Sequence, residues 1–95
     1  MESNEVVLRI NEIDGSGPEG AEMFVRCMTG VLRVGATVHL TDEKHEVVSG
    51  PLTVEELRLG EHPKLSVELV SPSTFCKMRL AGDVDRIGQA VWVVG

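Results

Sequence analysis

Met23-Phe24-Val25-Arg26-Cys27-Met28-Thr29-Gly30-Val31-Leu32-Arg33-Val34-Gly35-Ala36-Thr37-Val38-His39-Leu40 carries the strongest structural signal in the chain. Met23, Val25 and Cys27 alternate with Phe24, Arg26 and Met28, the period of two that sends successive side chains to opposite faces of a strand. Gly30 and Gly35 bracket a turn that holds the apolar pair Val31-Leu32, and alternation resumes at Val38 and Leu40. Glycine reaches positive φ without a Cβ clash, so at least one of the two should adopt it. Apolar residues inside a turn imply that Val31 and Leu32 both pack back on the body of the protein.

Alternation continues on both sides of this segment. Strands are expected over residues 5–13, 22–29, 36–41, 52–59, 65–70, 74–80 and 90–94. In the first, Val6, Leu8 and Ile10 share one face and Val7, Arg9 and Asn11 the other. Residues 14–20 (Asp14-Gly15-Ser16-Gly17-Pro18-Glu19-Gly20) read as a flexible turn, because the glycines permit positive φ and Pro18 blocks ladder pairing. Residues 41–46 form a polar connection. Only 54–59 also admits a helix, with Thr53 as cap and Glu56 completing a capping box. Its shortness, and Gly50-Pro51 just before it, favour a strand that begins after the proline. Residues 65–69 alternate as a half-buried antiparallel strand should. Short strands separated by Gly, Pro, Asp and Ser turns imply an all-β barrel or sandwich, with residues 1–95 as one domain. The expected core includes Val25, Cys27, Val38, Leu40, Cys76 and Met78.

The segment from Met23 to Leu40 resembles the "strand, Gly-x-Leu-basic-x-Gly-x-x-Val, strand" element of the β-barrel that follows the GTPase domain in elongation factor Tu and its relatives. Leu80-Ala81-Gly82-Asp83-Val84-Asp85-Arg86-Ile87-Gly88-Gln89-Ala90-Val91 resembles the closing segment of the same barrel. There the chain leaves one strand, bends, turns at a glycine and enters the last strand. The resemblance implies a small closed Greek-key barrel of six or seven strands, with Gly30, Gly35, Gly82 and Gly88 as structural turns and Val84 and Ile87 plugging one end. One departure is Ala36, where an acidic residue is common. In that family the barrel packs on the GTPase domain and contacts aminoacyl-tRNA or the ribosome. The GTP-binding residues lie in the preceding domain, whose motifs are not matched here.

Charge narrows the function classes. The net charge is −6, with −4 in residues 1–30, −2 in 31–60 and zero in 61–95. Such a chain repels phosphate backbones, so nucleic acid is a disfavoured partner. No apolar run is long enough for a membrane span and no secretory leader is legible, so a cytoplasmic protein is expected. Cys27 and Cys76 fall on apolar stripes outside any C-x-x-C spacing and read as buried reduced thiols.

Several motifs fail on their chemistry. Gly15-Ser16-Gly17-Pro18-Glu19-Gly20 spells G-x-G-x-x-G, but a strand follows where a dinucleotide site needs a helix, and Glu19 and Glu22 would face the phosphates. Ala21-Glu22 stands where a P-loop needs Lys-Ser/Thr. His39, His45 and His62 lack the paired spacings of a zinc site. The serines lack a nucleophile elbow. No catalytic residue, cofactor or metal is therefore assigned. The best surface signal is the outward set Phe75, Lys77 and Arg79 opposite Cys76, Met78 and Leu80, with Phe24 and Arg26 opposite Met23 and Val25. These residues form the candidate partner face. A protein partner is the leading expectation, and an RNA-binding accessory role or a small enzyme with a barrel-mouth site are the alternatives. The oligomeric state is not legible.

Overall fold

A computed structural model describes residues 5–17, 19–62, 64–84 and 86–95. Nine strands follow one another: β1 (Val7–Gly17), β2 (Gly20–Thr29), β3 (Leu32–Arg33), β4 (Thr37–Thr41), β5 (Val47–Leu59), β6 (Ser66–Val67), β7 (Leu69–Val70), β8 (Phe75–Ala81) and β9 (Trp92–Val94), with one 3-10 turn at Ile87–Gln89. The main sheet runs β4-β9-β1-β2-β8-β5-β6, and a further β4–β5 pairing joins its ends into a ring. Six antiparallel strands thus close a barrel, and β6 is appended to β5. The ring order β1-β2-β8-β5-β4-β9 is a Greek key, because β4, β5 and β8 are consecutive neighbours while β2 lies beside β8. β3 and β7 make a separate two-stranded sheet.

The inward stripes supply the core. Leu8, Met23, Val25, Cys27, Val38, Leu40, Val54, Leu57, Cys76, Met78 and Val93 are fully buried. Val84 and Ile87 pack against this core from the connection between β8 and β9. Leu, Val and Met therefore fill a barrel that holds no aromatic among its buried residues, as a narrow interior requires.

Gly30 has φ 76° and Gly35 φ 94°, and Gly82 reaches φ 136°. Gly88 differs from the expectation: it sits in the 3-10 turn, and the positive φ falls on Arg86 at 48°. The turn before β9 is therefore made by a left-handed arginine. Pro18 and Asp85 lie outside the described residues.

Four other expectations are corrected. Residues 14–17 and 20 are paired in a long β1–β2 hairpin that extends through the glycine-rich segment to Gly17↔Gly20. Glycine permits such a turn but does not prevent pairing around it. β5 begins at Val47 and passes through Gly50-Pro51, because β4 pairs with both sides, Val38 with Leu52 and Leu40 with Ser49, across a register shift. Residues 65–70 split between β6 and β7, leaving Leu65 and Leu69 exposed, since the two halves pair with different strands. Of the turn pair, Leu32 is buried whereas Val31 is 45% exposed.

Candidate functional site

β2 and β8 are neighbours, and their register places the candidate residues on one outer face. Phe24 is opposite Lys77, Arg26 opposite Phe75 and Glu22 opposite Arg79. Facing residues of an antiparallel pair have Cβ atoms within about 5.5 Å, so each pair is in contact range. The Phe24 and Phe75 rings stack with centroids 5.8 Å apart. Lys77 lies over Phe24 at 5.5 Å, and Arg26 lies over Phe75 at 5.6 Å. All five residues expected on this face are therefore brought together.

The Phe75 ring lies over Gly60, the residue after β5, where any side chain would collide with it. That gap flattens the aromatic onto the sheet. A shallow depression of about 400 Å³ opens beside it, lined by Arg26, Gly60, His62, Ser73 and Phe75 among others.

Acidic side chains occupy the cations at the other end of the face. Lys77 Nζ is 3.0 Å from Asp14 Oδ2 and 3.7 Å from Glu22 Oε1. Arg79 donates from Nε to Glu22 Oε2 at 3.0 Å, and a terminal nitrogen reaches Glu56 Oε1 at 3.9 Å. Glu56 also pairs with Arg58 at 3.1 Å and accepts a hydrogen bond from Ser66 Oγ. These contacts hold Lys77 more firmly protonated, through Asp14 first, and push the Glu56 carboxyl below its usual range, chiefly through Arg58. Exposed pairs of this kind contribute little to stability. Their effect is to neutralise the face.

Glu22 could have been found from strand parity, since it alternates onto the outer face of β2, whereas Glu56 faces outward only because a register shift follows Val54. Asp14 could not. Register shifts between Ile10 and Glu12 and between Ile13 and Gly15 insert extra residues into β1. Such bulges re-aim side chains, here carrying Asp14 across to Lys77.

Arg9, Trp92 and His45 were absent from the sequence-based face. Arg9 on β1 is the register partner of Arg26 and also of Trp92 on β9. Its guanidinium lies 5.2 Å from the Trp92 ring centre, and His45 stacks on the same ring at 5.6 Å. The cation–aromatic surface thus spans β9, β1, β2 and β8.

Elsewhere, both cysteines are buried and free. Burial raises the Cys27 thiol, and it pushes Cys76 up to about 12, with neighbouring Cys27 adding to the shift. Among the described residues no group of three His, Cys, Asp or Glu side chains could hold a metal ion. No helix among them is long and apolar enough to cross a membrane. Compared with known proteins, the sequence matches no family profile and no curated relative.

Proposed function

We propose that this barrel is a non-catalytic binding module, similar in role to the second domain of translational GTPases, that engages a protein partner in the cytoplasm through its outer β2–β8 face. The observation that carries this reading is the Phe24–Phe75 stack beside cations already neutralised by Asp14, Glu22 and Glu56. Aromatic anchors surrounded by satisfied polar pairs match the anatomy of protein interfaces. A nucleic-acid face needs a continuous run of free cations; among the described residues Arg9 and Arg26 have no carboxylate partner, but Lys77 and Arg79 would have to exchange carboxylates for phosphates.

RNA is the second reading, favoured by Arg26 lying over Phe75, since bases stack on such platforms. A photo-crosslinking amino acid at position 75, with exposed position 34 as control, tests the two in cells. A discrete protein adduct from 75 but not 34, lost with Phe24→Ala, supports docking. RNA adducts would reverse the ranking. So would anisotropy showing tight tRNA or single-strand binding with a steep salt slope, abolished by Lys77→Glu with Arg79→Glu. Two cations alone give a slope of only about −1.4 on single strands.

A further inference from the structure

We propose that Arg9 and Arg26 form an anion subsite at one end of the docking face, and that it receives a carboxylate from an acidic segment of the partner protein. This rests on the docking reading above. The two arginines face each other across β1 and β2. Like charges at directly opposed positions repel. Both side chains are exposed, and among the described residues neither has a carboxylate within ion-pairing distance. That separates them from Lys77 and Arg79, which are paired at 3.0 and 2.9 Å.

Each guanidinium is nevertheless positioned. Arg9 is held against Trp92, and Arg26 lies over Phe75 while donating to the Ser73 carbonyl at 3.3 Å. The ring partners lie on opposite flanks, Trp92 on β9 and Phe75 on β8, and Arg26 commits one terminal nitrogen to Ser73, so each guanidinium keeps the rest of its N–H groups free. A carboxylate that enters between them draws the two side chains inward, accepts hydrogen bonds from both and cancels the repulsion.

The surroundings select a single anionic group over a chain of phosphates. Glu12 is opposite Phe24 next to the subsite, with Asp14 and Glu22 beyond it. On the other side, the loop that carries His45 to Trp92 also carries Asp42, Glu43 and Glu46. A polyphosphate backbone would run onto these carboxylates in either direction. An acidic side chain on a polypeptide can put one charge in the subsite and apolar neighbours on Phe24 and Phe75.

The test follows the arginine Nε–H resonances by NMR while poly-L-glutamate is added at physiological salt, with poly-L-glutamine and poly-uridylate as parallel probes. The expected result is a saturable shift of Arg9 and Arg26 together with poly-L-glutamate, and none with poly-L-glutamine. Arg26→Gln should weaken the Arg9 response tenfold or more, and Arg33→Gln on β3 should leave it unchanged. The proposal is overturned if the two arginines stay silent, if Arg33 moves as much as they do, or if poly-uridylate binds tenfold more tightly. The crosslinking experiment fails independently. A protein adduct from position 75 with silent arginines removes the subsite alone, whereas responding arginines without that adduct remove the docking partner and leave the subsite standing.

Discussion

Gly30, Gly35 and Gly88 show that glycines of the same sequence appearance have different physical reasons. At Gly30 a Cβ would lie 2.7 Å from the Glu5 carbonyl oxygen in addition to the φ of 76°, whereas at Gly35 φ is 94° with open space around it. Gly88 has open space and no positive φ. Alanine is therefore expected to destabilise most at position 30, by about 1 kcal/mol from backbone strain alone at position 35, and not at all at position 88. Urea midpoints of the three variants check the order; equal losses at 30 and 88 would refute it. Cys76 offers a second test at this scale. A thiol in the unfolded chain titrates near 9.0, and the folded one is raised to about 12. The unfolded state sheds its proton first, so this contribution is complete below about pH 9 and is lost as pH rises toward 12. The decline should approach 1.4 kcal/mol per pH unit, roughly. A Cys76→Ala variant should lack that part of the alkaline slope in denaturation between pH 8 and pH 10.5.

At the scale of elements, the β1–β2 hairpin is the informative case. Residues 7–9 of β1 pair with both β2 and β9, but from 12 onward the pairing is with β2 alone. That outer half has a free edge, guarded by Glu12 and Asp14, and charged side chains on an edge discourage edge-to-edge association. On the β1 side, the Lys77–Asp14 pair adds to the ties that the β2–β8 ladder and the Gly82 N–H to Glu19 carbonyl bond supply. Amides of Gly15, Ser16 and Gly17 are expected to exchange quickly, and those of Met23 and Val25 slowly. Lys77→Gln should speed exchange at 15–17 while leaving 23 and 25 unchanged. Unaltered exchange at the tip would show that the ion pair does not hold it. The sequence reading ends β1 at Ile13 because residues 14–20 look like a glycine-rich turn. Within the strand, bulges let Ile10 and Ile13, three residues apart, both pack on the core.

For the whole molecule, closure depends on β9, whose three residues bridge β1 and β4. Val93 at its centre is fully buried. Val93→Asp would place an unpaired carboxylate in the barrel and should cost about 3–5 kcal/mol, enough to unfold much of a domain this small. A ring leaves no strand pair free to melt alone, so Trp92 fluorescence and far-UV circular dichroism should give superimposable thermal transitions. A Trp92 transition well ahead of the dichroism would mean that the barrel opens at β9 first. Retained stability in Val93→Asp would contradict the closed core.

Strand parity was enough to read the all-β class, the inward stripes of β2 and β8, and the outward positions of Phe24, Arg26, Phe75, Lys77 and Arg79, because those strands keep a period of two without interruption. It could not place the boundaries at Gly50-Pro51 or in the glycine-rich hairpin, where pairing partners far away in sequence hold the chain extended. Nor could it join Arg9 to Arg26, aim Asp14 at Lys77, or leave Leu65 and Leu69 outside. Those outcomes depend on which strand lies beside which and on single-residue register shifts, and local alternation contains neither.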